Sequence, residues 1–158
     1  MRIYLESTIP SFLAARPARD ILQSARQHIT ADWWDLKRGE HELFISQVVL
    51  DEIAFGDPGA ARLRLELVRD IPLLEFTEEA REFAREVLDA GLLPREADRD
   101  AVHIAIATVH VMDLLLTWNN RHIAKADIQA SLRRLAESAG LILPVICTPE
   151  ELMGESYE

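Results

Sequence analysis

Short apolar runs alternate with amphipathic stretches along the chain, and this alternation limits the fold more than any other feature. Arg2 to Leu5 reads as a strand with Ile3 and Leu5 on one face. Further strands are expected at Glu42 to Ile45, Leu73 to Phe76, Asp113 to Thr117 and Leu143 to Cys147. Helical patterns separate them. Ser7-Thr8-Ile9-Pro10 reads as a helix start, with a hydroxyl cap and Pro in the first turn. Residues 18–38 carry Ile21, Leu22, Ala25, Ile29, Trp33 and Leu36 at helical spacing. Ser46 opens a helix through Val48, Val49, Glu52 and Ile53 that stops at Gly56. Pro58 starts another, with Leu63, Leu67 and Val68 as its expected buried stripe. Thr77 caps a helix with Glu78 and Glu79 in its first turn, ending near Gly91. Asp100 to His110 is small and apolar, and Ile128 to Ala139 forms the last helix. Strands that alternate with helices imply an α/β protein, a parallel sheet with helices on both faces.

Composition narrows the class. A chain of 158 residues makes one domain, expected over residues 1–148, with an acidic tail over 149–158. At this length it buries about 70% of its unfolded surface and needs no covalent staple. Cys147 is the single cysteine, which excludes a disulfide scaffold and a cysteine-based metal cage. The longest apolar stretches fall well short of the roughly 20 residues of a membrane span. No signal-peptide pattern follows Arg2 and Glu6, so a cytoplasmic protein is expected. Seventeen Lys and Arg stand against 27 Asp and Glu, a net charge of -10. Such a chain lacks the uniformly basic surface of a typical nucleic-acid binder. Residues 119–134 carry a local basic excess, with Arg121, Lys125, Arg133 and Arg134 against Asp127.

In parallel sheets of this kind the site lies beyond the carboxyl ends of the strands. Glu6 follows the first strand and Glu52 lies six residues after Ser46. Asp100 heads the apolar helix, and Thr117-Trp118-Asn119-Asn120 follows the fourth strand. Three acids and a carboxamide from distant parts of the chain can therefore meet on one rim. Carboxylates held close together repel and demand a cation. Oxygen ligands without Cys or paired His favour Mg²⁺ or Mn²⁺ over zinc. Such a centre activates water against a phosphodiester.

Four pieces in order carry a resemblance: residues 3–10 (IYLESTIP), residues 46–53 (SQVVLDEI) with Gly56-Asp57-Pro58, residues 100–105 (DAVHIA), and residues 115–119 (LLTWN). The chain resembles the PIN-domain family, of the kind found in VapC toxins of bacterial toxin–antitoxin pairs. The resemblance spans residues 3 to about 126. It implies a three-layer α/β/α PIN-like fold with a central parallel sheet of four to five short strands. It also implies an endoribonuclease that uses Mg²⁺ or Mn²⁺, acts as a homodimer and pairs with a small antitoxin. It maps the family's acidic positions onto Glu6, Glu52, Asp100 and Asn119, with Glu6, Glu52 and Asp100 as metal ligands. The first position is usually Asp, and Glu6 reaches with a longer arm. The fourth is usually Asp, and Asn119 brings no charge, so the site should hold metal more weakly.

Each residue also has a plainer reading. Glu6 sits near a helix dipole, Glu52 competes with Asp51, and Asp100 is a possible N-cap beside Asp98. Asn119 and Asn120 read equally as a turn. Ser7, Thr117, Asn120, Arg121 and His103 are candidates for substrate contact. His103, one turn after Asp100, reads equally as a carboxylate-orienting or satisfied buried histidine. Trp33 and Trp34 read as core rather than an RNA-stacking pair. Two other functions remain open. One is a catalytically weak PIN-fold binding or regulatory module, motivated by Asn119. The other is a metal-dependent phosphohydrolase on a small phosphoester, though no Gly-rich phosphate loop is present.

Overall fold

The computed structural model describes residues 1–154. Five parallel strands form one sheet: β1 (Arg2–Leu5), β2 (Glu42–Ser46), β3 (Leu73–Leu74), β4 (Leu114–Leu116) and β5 (Val145–Cys147). Their order across the sheet is β3-β2-β1-β4-β5. The chain winds outward from β1 to β3, then crosses back to β4 on the other side of β1. The crevice between the carboxyl ends of β1 and β4 is therefore the topological switch point, where such sheets place their sites. The registers that align this end are Leu5 with Leu116 and Leu116 with Cys147.

Seven helices join the strands among the described residues: α1 (Thr8–Ala14), α2 (Ile21–Leu36), α3 (Gln47–Ile53), α4 (Pro58–Val68), α5 (Glu78–Asp89), α6 (Asp98–Val109) and α7 (Ala126–Ser138). Helix α1 packs on α2 and α4, while α5 packs on α6 and α7. Ile3, Tyr4 and Leu5 are all inaccessible. Consecutive strand residues point to opposite faces, so both faces of β1 are covered. Leu114, Leu115 and Leu116 repeat the pattern on β4. Truncating a leucine in such a place costs about 2–5 kcal/mol.

The parallel sheet with helices between its strands is the α/β architecture that the alternation implies, and most element positions match. The differences have physical reasons. Helix α4 turns Ala61 and Val68 inward against α1 and α3 and leaves Leu63 57% exposed. On α2 the buried residues are Thr30, Trp33 and Trp34, whereas Ile21 is 87% exposed and Leu22 and Leu36 are exposed too. Strand β3 keeps only the two residues that find partners on β2. Helix α6 begins at Asp98, so Asp100 lies inside its first turn rather than at its head. It ends with Val111 in the left-handed region (φ 54°) and Met112 N–H donating to the Ala107 carbonyl, a Schellman closure without glycine. A short 3₁₀ turn over Pro149–Leu152 follows β5, with Pro149 and Met153 buried. Residues 155–158 of the expected acidic tail lie outside the described residues.

Candidate active site

Glu6 leaves β1 at the switch crevice and is buried. Its backbone N–H still donates to the Leu116 carbonyl, so the turn into α1 swings the side chain over the end of the sheet. Three donors hold one carboxylate oxygen. Thr117 Oγ1 donates to Oε2 at 2.7 Å, Thr8 Oγ1 at 2.5 Å and the Thr8 N–H at 3.1 Å. Both hydroxyls are fixed in turn: Thr8 Oγ1 accepts from Trp118 N–H and Thr117 Oγ1 accepts from Asn119 N–H. Glu6 Oε1 accepts nothing from the described residues. The Trp118 ring is locked beneath by its Nε1–H donating to Thr30 Oγ1 at 2.7 Å.

Glu52, on α3, repeats this arrangement with other donors. Ser7 Oγ donates to its Oε1 at 2.8 Å, and His103 Nε2 reaches the same oxygen at 2.5 Å. Oε2 is left without a described partner. The Ser7 and Ser46 hydroxyls, expected as helix caps, cap nothing. Ser7 serves Glu52, and Ser46 Oγ lies 2.7 Å from the Tyr4 hydroxyl. That hydroxyl also meets His103 Nδ1 at 2.7 Å. Burial pushes the Glu52 carboxyl up, but the His103 and Ser7 hydrogen bonds and the charges of His103 and Arg99 outweigh it and hold the carboxyl below its ordinary range. Burial likewise pulls His103 down, and its bond to Glu52 with the charges of Glu6, Glu52 and Asp100 carries it above the usual histidine value.

Glu6, Glu52 and His103 offer ligand atoms that all lie within 4.8 Å of one another. Two carboxylates, each with one oxygen anchored and one open, fit a hard divalent cation. Asp100 stands beside them with both oxygens engaged. Asn119 Nδ2–H donates to Oδ1 at 3.1 Å, and His122 Nδ1 lies 2.8 Å from Oδ2. Asn119 Oδ1 accepts the His122 backbone N–H, so the amide is used at both ends. Of the expected substrate contacts, Thr117 and His103 are fully buried, and Ser7 is buried against Glu52. Asn120 and Arg121 are exposed and outside this hydrogen-bonded cluster.

Reasoning from sequence alone left out Tyr4, the Ser46 contact and Arg99. Tyr4 gives no local signal, since an aromatic in a strand reads as core. Cys147, whose carbonyl accepts the Thr117 N–H, is buried, and burial with the charge of Glu151 pushes its thiol up to about 12. It is a packing residue rather than a nucleophile.

No family model matches the chain, and no curated protein matches it. Among solved structures the chain is similar to one in the crystal structure of VapBC2 from Rickettsia felis bound to a DNA fragment from their promoter. The match covers 94% of this chain and 98% of the other, with a TM-score of 0.59 and 13% sequence identity. At that identity the likeness is one of fold.

Proposed function

We propose that this protein is a divalent-metal-dependent endoribonuclease of the PIN, VapC-like kind, hydrolysing RNA phosphodiester bonds. One observation carries the reading. At the switch crevice Glu6 and Glu52 each spend one oxygen on protein donors and leave the other open, and the two side chains offer carboxylate oxygens within 4.8 Å of each other. Glu6, Glu52 and Asp100 would hold Mg²⁺ or Mn²⁺. When bound, the cation lowers the pKa of a coordinated water and offsets the charge of a phosphate. The chain's own residues do the remaining work. Thr8, Thr117 and Ser7 fix the carboxylates, and Asn119 orients Asp100. Arg99, Arg121 and Lys125 supply positive charge for the RNA backbone against an otherwise acidic surface. The fold neighbour's VapBC2 assembly supports a small antitoxin partner, and the resemblance supports a homodimer in the cytoplasm.

A second reading is a catalytically weak PIN-fold module. Asn119 favours it, because its amide is uncharged and already used by Asp100 and His122. RNA cleavage with Mg²⁺ or Mn²⁺, by wild type and by Asp100→Asn, separates the two. The nuclease reading expects metal-dependent cleavage that chelator abolishes and Asp100→Asn reduces at least about tenfold. No cleavage by wild type with either metal, or equal cleavage by both proteins, defeats it.

A further inference from the structure

Glu52 lies on a helix face with its side chain 24% exposed, where a glutamate ordinarily samples several rotamers. Here its Oε1 is the end of a buried chain of polar groups. Ser46 Oγ meets the Tyr4 hydroxyl, which meets His103 Nδ1, and His103 Nε2 meets Glu52. Tyr4 and His103 are inaccessible, and Ser46 is nearly so. The four residues come from β2, β1, α6 and α3, so the chain ties Glu52 to the strand that carries Glu6. With Glu52 ionised, Nε2 carries a hydrogen. If the ring is neutral, Tyr4 donates to Nδ1 and accepts from Ser46. If it is an imidazolium, both hydroxyls turn round, and Tyr4 donates to Ser46. The Tyr4 hydroxyl and both His103 nitrogens keep a partner in either state, which a buried polar network needs in order to rigidify rather than destabilise. Tyr4 stays a protonated hydroxyl, since burial first, and then the charges of Glu6 and Glu52, push its ionisation up against the Ser46 hydrogen bond.

We infer that Tyr4 and His103 are positioning residues: the Ser46–Tyr4–His103 chain fixes Glu52 Oε1 so that Oε2 is presented to the cation. This rests on the metal-dependent reading above. Both residues are inaccessible to solvent, and neither is needed to fill space with a polar atom. Phenylalanine packs as well as Tyr4 in a strand core, so the hydroxyl has to be explained by the bond it makes.

Tyr4→Phe removes one oxygen and keeps the ring, and Ser46→Ala removes the far end of the chain. Two readouts are taken on ¹⁵N-histidine-labelled protein. The first is the His103 Nε2–H resonance in metal-free protein, and the second is the Mn²⁺ dissociation constant by calorimetry. Wild type should show a downfield, exchange-protected Nε2–H. Tyr4→Phe should broaden it or speed its exchange, and weaken Mn²⁺ binding about tenfold, as loss of an outer partner does. Ser46→Ala should act in the same direction and more weakly. Circular dichroism melts check that both variants fold. An unchanged resonance and unchanged Mn²⁺ affinity in folded Tyr4→Phe overturns the inference and leaves the nuclease reading standing. A wild type that binds no Mn²⁺ at millimolar concentration overturns the metal reading, and the inference with it. That failure shows in the wild-type arm, whereas failure of the inference alone shows in the variant.

Discussion

The two sides of the cluster handle negative charge differently. On the inner side, Glu6 and Glu52 are gripped by hydroxyls and a buried imidazole, always through a single oxygen. On the outer side, Asp100 has both oxygens taken, one by an amide and one by the His122 ring, with its side chain 15% exposed. The inner pair keeps two open valences and the mutual repulsion of like charges. The outer acid is held in place by its neighbours and would reach a cation only through the lone pairs that they leave.

The largest effect expected from this difference is at Glu6. Glu6→Gln removes the charge and turns an amide NH₂ toward donors or toward the open position. Mn²⁺ binding should be lost at millimolar concentration. RNA cleavage should fall by more than the roughly 10–100-fold that losing an outer partner costs. Calorimetry and a cleavage assay read both. An effect no larger than that of Asp100→Asn would erase the distinction between the two sides.

Asn119→Asp probes the boundary between them. The amide that donates to Asp100 Oδ1 becomes an acceptor, and a like charge sits at hydrogen-bond distance. Without metal the variant should lose about 1–2 kcal/mol, or a few degrees of melting temperature at about 2–4 °C per kcal/mol. If one cation serves both sides, Mn²⁺ should recover this loss, since a ligand bound only by the folded state stabilises it. A deficit that persists at saturating Mn²⁺ would make Asp100 and Asn119 independent of the inner pair.

The inner side was partly legible in the sequence. The switch-point rule led to Glu6, which is set by where a strand ends, and the family resemblance preferred Glu52, six residues after Ser46, to Asp51. What held them was not legible. Ser7 and Ser46 stand where caps stand, and their use depends on residues 45 and 42 positions away, respectively. Tyr4 carries a strand pattern whether or not its hydroxyl has a partner. On the outer side, Asp100 and Asn119 were recognisable, but the His122 link spans a loop whose path no periodicity fixes. The exposed Leu63 shows the same limit in packing: several faces of α4 look apolar, and only the neighbouring α1 and α3 decide which one is covered.

The smallest expected effect separates a closed acid from an open one most directly. His122→Ala keeps the backbone N–H that donates to Asn119 Oδ1 and removes only the ring beside Asp100 Oδ2. Because the pair is partly exposed, stability should fall by no more than about 1 kcal/mol, measured by denaturant midpoint. The variant also gives Asp100 the same condition as Glu6 and Glu52, one oxygen anchored and one open. Mn²⁺ affinity should then hold or tighten, since the Asp100 Oδ2 lone pair that faces His122 is freed for the cation. A tenfold loss of Mn²⁺ affinity would mean that His122 aims Asp100 into the site as His103 aims Glu52. The two sides would then be one design built twice, with the imidazole half-buried in one case and in the core in the other.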